Sequence, residues 1–259
     1  MIPCLFINHG AGPMPLFAND DDPVRSHLKK IGSCFTAGNE PKSILVISAH
    51  YETSPAILVT SSDKPGMHFD YNGMPPKAYE FKYPASGDPE LASRVKALLS
   101  TNGISCDLDP ERGFDHGAFV PLMIAFPKAN IPVVVLSLHT SLDPEMHIKI
   151  GEALQPLREE DVLVVGSGMS FHDEAAMRAA KTTLGYEFDQ ALVEVITKKS
   201  EKRNDVLKKW DTLPGAKEAH KREEHLLPLL VILGIAGDSP CEADSFVAYN
   251  SYLSGFSFA

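Results

Sequence analysis

Six short apolar runs, spread over the whole chain, limit what this sequence can fold into. They are CLFIN (4–8), SILVISA (43–49), AILVTS (56–61), VVVLSL (133–138), VLVVG (162–166) and SFVAYN (245–250). Most are continuous rather than alternating and rich in β-branched residues, the pattern of strands buried on both faces. Helical patterns separate them. DPELASRVKALLST (88–101) opens on Asp88 as an N-cap with Pro89 at the first helical position. DPEMHIKIGEALQPL (143–157) repeats the Asp-Pro start. YEFDQALVEVITKKS (186–200) and AKEAHKREEHLLPLLVILG (216–234) follow, the last closing at Gly234 as a C′ residue. Strands alternating with helices predict an α/β fold. The expectation is a single domain over 1–259, with a central, mostly buried, mixed or parallel sheet flanked by helices on both faces.

Charge and composition exclude several functions. A net charge of −10 over 259 residues lacks the clustered cations that nucleic-acid binding needs. No stretch approaches the roughly 20 apolar residues of a membrane span, and the N-terminus carries no basic n-region. Cys4, Cys34, Cys106 and Cys241 are far apart and form no C-x-x-C pair, so they read as reduced thiols of a cytoplasmic protein. Basic KKSEKR (198–203) reads as a solvated helix end. P-loop, dinucleotide-binding, nucleophile-elbow and H-E-x-x-H patterns are missing. The segment 62–87, with five aromatics, four prolines and three glycines, is too long and too aromatic for an idle connection.

The histidines carry the chemistry. LFINHG and SILVISAHYE both finish an apolar run on a histidine, His9 and His50. Open α/β sheets bind ligands outside the carboxyl ends of their strands, so neighbouring strands would bring these two imidazoles together on a metal ion. VLVVGSGMSFHDE places His172 after a third strand, with Gly166-Ser167-Gly168 expected to form a tight turn. His116, in DHGAFVPL, stands ahead of an apolar helix beside Gly117, which permits close approach. Helical projection puts His225 on one stripe with Leu229 and Ile232, unless Pro228 marks the true helix start. His139 follows a strand too and is the best decoy. His27 and His147 fall on amphipathic helices and read as surface residues. His220 is too far from His225 for an i, i+4 pair, and His68 reads as a solvated loop residue.

Taken in order, NHGAGPMPL, ISAHYE, FDYNGMPPKAYEFKYPASGDPELA, DHGAFVPL, GSGMSFHD and HKREEHLLPLL resemble the class III extradiol ring-cleavage dioxygenases. The similarity is to their 4,5-DOPA dioxygenase-like branch and runs from about residue 5 to 250. The resemblance implies that His9, His50 and His225 bind the metal, Fe(2+) for activity, with Zn(2+) plausible in purified protein. It makes His172 the acid/base residue, or a fourth ligand to zinc, and lets His116 line the dioxygen and catechol pocket. Distant relatives use a glutamate as third ligand, so Glu223 and Glu224 beside His225 leave an alternative open. Asp70, Tyr71 and Tyr79, with Tyr83, are the candidate wall over the substrate ring. The implied reaction inserts O2 into a DOPA-like catechol to give a muconic semialdehyde-type product, in a monomer or homodimer. The sequence departs from that branch at Asn8, Tyr51 and Lys221; the first two adjoin the implied ligands and bear on substrate identity more than on chemistry.

Two other readings use the same residues. A zinc-dependent, amidase-like hydrolase needs an open coordination position, which His172 as fourth ligand would close. A non-catalytic metal-binding or signalling protein of this fold would be expected to lose its proton-transfer residue, and both His172 and His116 are present.

Overall fold

The apolar runs become the centre of one eight-stranded sheet. The structure is a computed structural model describing residues 2–36, 38–198 and 202–259; the end of the helix expected at 186–200 and residues 199–201 of the basic run lie outside them. The strands are β1 (Cys4–Asn8), β2 (Ser43–Thr53), β3 (Ile57–Thr60), β4 (Cys106–Asp109), β5 (Val133–His139), β6 (Val162–Gly168), β7 (Cys241–Ala248) and β8 (Ser251–Phe258). Their order across the sheet is β4-β3-β5-β2-β6-β1-β8-β7. The inner four, β5, β2, β6 and β1, are parallel, as their unbroken apolar runs require. The flanks are not: β3 meets β5 and β8 meets β1 antiparallel, and β7 closes a hairpin on β8. Neither β4 (CDLD) nor β8 (SYLSGFSF) has the composition of a buried run, so both escape a search for one.

Ten helices lie among the described residues. The first five are α1 (Met14–Phe17), α2 (Pro23–Ser33), α3 (Pro89–Thr101), α4 (His116–Ala125) and α5 (Pro144–Leu154). They are followed by α6 (Glu174–Ala179), α7 (Tyr186–Thr197), α8 (Arg203–Leu207), α9 (Ala216–Ala219) and α10 (Leu227–Ala236). The Asp-Pro starts behave as expected. Asp88 accepts from the amide of Leu91 at 2.9 Å and Asp143 from that of Glu145 at 3.1 Å. The helix expected at 216–234 is broken. It splits into α9 and α10, because Pro228 sits in the first turn of the second helix and leaves 220–226 as turn. Gly234 is therefore inside α10, and Gly237, at φ 54°, is its cap. Gly234 instead lets α5 approach, since a Cβ there would stand 2.1 Å from the Ile148 carbonyl.

Adjacent residues of β6 show that helices cover both faces. A Cβ on Gly166 would strike Pro228 and Ile232 of α10, whereas Ser167 hydrogen-bonds the carbonyl of Gly117 in α4. Successive strand residues point to opposite faces, so α4 and α10 sandwich the sheet. No helix among the described residues is long and apolar enough to cross a membrane. All four cysteines are free, with Cys4 and Cys106 buried.

Candidate metal centre

β1 and β2 are not neighbours, as the pairing of His9 with His50 seemed to need; β6 runs between them. The two imidazoles still meet, because β6 ends in Ser167 and Gly168, too small to keep them apart. Gly166-Ser167-Gly168 is accordingly strand rather than turn. Its glycines serve close approach: a Cβ on Gly168 would fall 2.1 Å from the His225 carbonyl. His225 reaches the site from this face. It lies in the turn before α10 and not on a helical stripe, tied down where its carbonyl accepts from the amide of Met169 at 3.1 Å.

Three ring nitrogens converge. His50 Nε2 is 3.2 Å from His9 Nε2 and 3.2 Å from His225 Nε2. The opposite nitrogens of His9 and His225 have partners that fix the tautomer. The Ser167 hydroxyl donates to the Gly117 carbonyl, so it accepts from His9 Nδ1 at 3.0 Å. Glu224 accepts from His225 Nδ1 at 2.8 Å, and His50 Nδ1 faces the Asp70 carboxylate at 3.5 Å. The His50 Nε2 thus meets two unprotonated Nε2 atoms, those of His9 and His225, an arrangement that a cation among them would satisfy. Two imidazole nitrogens on one tetrahedral ion at about 2.0–2.1 Å stand about 3.3 Å apart, so the donor set fits a divalent metal. Burial, together with the neighbouring His116 and His225 rings, holds His9 and His50 well below the usual histidine range. Burial lowers His225 to about 4 against the opposing pull of Glu224. Neutral imidazoles are the form that binds metal.

His116 and His172 flank this trio. His116 opens α4, where Asp115 is the N-cap. Asp70 accepts from both the backbone amide and Nδ1 of His116, at 3.0 and 2.9 Å. The His116 ring centroid lies 3.8 Å from that of His50. A Cβ on Gly117 would come within 3.2 Å of the His50 ring, so a glycine is needed there. His172 stacks on His225 with centroids 3.4 Å apart, and its Nδ1 is 3.4 Å from Glu224. Burial pushes Glu224 up, but hydrogen bonds from His172 and His225 outweigh it and keep the carboxylate strongly ionised. His9, His50 and His116 offer ligand atoms within 4.8 Å of one another, as do His172, Glu224 and His225.

A cleft of about 570 Å³ opens over these rings, lined also by Tyr71 and by Met14, Met74, Met169 and Met177. Asp70 lines it but is occupied by His116. Tyr71 donates its hydroxyl to the Ala78 carbonyl, Tyr79 stands behind Tyr71, and Tyr83 is buried against Phe126.

The other histidines lie elsewhere. His68 is exposed. His27 and His147 are buried, not at the surface. His27 binds Asp244 through Nδ1 at 2.7 Å, and His147 spends both nitrogens on backbone groups. His220 is buried on the Ser170 carbonyl. Sequence reasoning missed Ser167 and the scaffold under His50. There Arg112 donates to the His50 carbonyl at 3.0 Å and to Asp115 at 3.1 Å, while Asp115 accepts from Ser48 at 2.8 Å. The serine between two glycines at a strand end was the available signal.

Residues 3–259 match the family described as the catalytic LigB subunit of aromatic ring-opening dioxygenase. A protein of Beta vulgaris named 4,5-DOPA dioxygenase extradiol is 40% identical, over 90% of this chain and 87% of its own. A protein of Hapsidospora irregularis named Dioxygenase tasH is 35% identical, over 91% of this chain and 78% of its own. The crystal structure of an uncharacterized Escherichia coli protein superposes with a TM-score of 0.79 at 27% identity, covering 100% of both chains.

Proposed function

Because the chain belongs to the LigB family of aromatic ring-opening dioxygenases and is an extradiol dioxygenase, we propose that it opens DOPA-like catechols, with Fe(2+) held by His9, His50 and His225. The convergence of three Nε2 lone pairs within 3.2 Å of His50 carries this reading. Iron(II) at that point supplies a shared site for a diol and for dioxygen, and a route for electron density between a singlet ring and a triplet gas.

The chain's own residues do the rest. Ser167 and Glu224 hold His9 and His225 in the tautomer that presents Nε2, and the Asp70 carboxylate faces Nδ1 of His50. A catechol loses protons as it binds, and His172, at the cleft wall, accepts one and returns it. Glu224, ionised and 3.4 Å from His172 Nδ1, stabilises the imidazolium formed on the way. Asp70 accepts from Nδ1 of His116 and aims its outer nitrogen into the cleft, toward an oxygen carrying developing charge. The methionines and Tyr71 offer the ring apolar contact, beside the polar Asn72, Glu174 and Arg178 of the same cleft.

The reading is tested by loading the protein anaerobically with Fe(2+) and offering DOPA, dopamine, caffeate and protocatechuate. Oxygen uptake equal to the catechol consumed, with a yellow semialdehyde-type product, is the expected result. A fully iron-loaded protein that consumes no oxygen with any of the four would refute it.

A further inference from the structure

The β7–β8 hairpin turns on Tyr249 and Asn250, which join Ala248 to Ser251. Both have left-handed backbone, φ 50° and φ 57°. Two consecutive positive φ values are those of a type I′ turn, whose favoured pair is Asn-Gly. A tyrosine in the first position is therefore an adverse choice for the turn itself. Residues held in this region persist where surrounding contacts over-determine them, and such positions cluster at functional sites. Here the contacts lead to the cleft, although neither residue lines it.

The Tyr249 oxygen lies over the segment that follows His9. A Cβ on Gly10 would stand 2.9 Å from it, and the backbone of Ala11 is its polar neighbour. Gly10 and Ala11 form one wall of the cleft. Asn250 reaches a second part of the cleft lining. Its Nδ2 donates to the Met177 carbonyl at 3.1 Å, and its own carbonyl accepts from the amide of Leu184 at 2.8 Å. Met177 lines the cleft from α6, the helix that begins just after His172. One two-residue turn thus touches the segment after a metal-ligand candidate and the segment after the acid/base candidate.

We propose that Tyr249 and Asn250 are positioning residues, whose turn ties the Gly10–Ala11 wall to the Met177 wall and so sets the width of the cleft mouth for a bound diol. The claim about the diol rests on the function proposed above; the tie between the walls does not.

Turn chemistry supplies a discriminating test. Tyr249→Asn with Asn250→Gly creates the turn's preferred pair while removing both contacts. A residue pair serving only the hairpin predicts a raised Tm, with kinetics and backbone exchange unchanged, and that outcome overturns the proposal. The proposal predicts faster amide hydrogen exchange in residues 10–14 and 173–178 together. It also predicts KM for a catechol raised about tenfold while kcat changes by less than about threefold. If the double variant unfolds, Tyr249→Phe decides: it keeps the ring and loses the oxygen, and unchanged exchange over 10–14 refutes the tie. Should the wild-type protein open no catechol, the exchange measurement still tests the tie, and the failure belongs to the proposed reaction.

Discussion

β2 and β5 run side by side, and both carry a histidine near the carboxyl end, His50 in one and His139 in the other. Around His50 every imidazole has Nδ1 facing an acceptor and leaves Nε2 without a donor. Around His139 three of the four ring nitrogens of His139 and His147 have local partners. His147 Nδ1 donates to the Asp143 carbonyl at 2.7 Å, and its Nε2 accepts from the backbone amide of His139 at 3.2 Å. His139 Nδ1 is taken by Ser141. Two adjacent strand ends of similar sequence therefore differ in one thing that matters for chemistry, the presence of lone pairs with nothing to bind. Position at a strand end nominates a histidine; the accounting of its two nitrogens decides it.

The contrast is broken most severely at a ligand. His50→Ala should reduce metal affinity by more than the about 10–100-fold typical of an outer partner, and should abolish turnover. Metal analysis after dialysis, with oxygen uptake alongside, checks both. A variant that keeps its metal would put His50 in the same class as His139. Next comes His172→Ala, expected to leave metal content nearly intact while cutting ring cleavage at least about 100-fold, the low end for general acid–base catalysis. Near-normal turnover would remove His172 from the chemistry.

A smaller effect belongs to Glu224→Gln. It keeps the shape but replaces the carboxylate that His225 and His172 share, and should weaken metal binding about 10–100-fold. The smallest effect is at the decoy. His147→Ala leaves the part-buried His139 amide without its partner, while the Asp143 carbonyl keeps the backbone amide of residue 147, a cost of about 1–3 kcal/mol in stability with metal content unchanged. Acid sharpens that comparison. Burial lowers both His225 and His147 to about 4, below the ordinary histidine value near 6.5. Between those values the unfolded chain binds protons that the native chain does not, so stability rises with pH there. It is fully present above pH 6.5 and is lost as pH falls toward 4. Each histidine contributes a slope of up to about 1.4 kcal/mol per pH unit. Denaturant unfolding of metal-free protein should show a shallower acid slope in His147→Ala. Added metal should stabilise wild type and His147→Ala alike, because His147 takes no part in the site. Equal acid slopes in variant and wild type would contradict the assignment.

The parallel centre of the sheet could be read directly, because strands covered on both faces need continuous apolar runs. Both strand-end histidines were legible for the same reason: an apolar run that ends on an imidazole is conspicuous. Their convergence was not, since nothing local says that β6 lies between β1 and β2, or that Ser167 and Gly168 are small for that purpose. His225 was placed on a helical stripe because LLPLLVILG continues the period. Pro228 starts that helix instead, and His225 is held by strand β6 from the side. Amphipathic periodicity likewise puts His27 and His147 at the surface, but both are buried, with Nδ1 of His27 donating to Asp244 and Nδ1 of His147 to the carbonyl of the N-cap Asp143. Asp70 was read as a substrate contact; its partner, His116, is distant in sequence and invisible to any short-range pattern.

The account stands on a single cation shared by three imidazoles, and anomalous diffraction from metal-loaded crystals tests that most directly. It predicts one peak within bonding distance of Nε2 in His9, His50 and His225, about 2.0–2.2 Å from each. A peak away from that trio, or one bound by a Glu224 oxygen in place of His225, would contradict it.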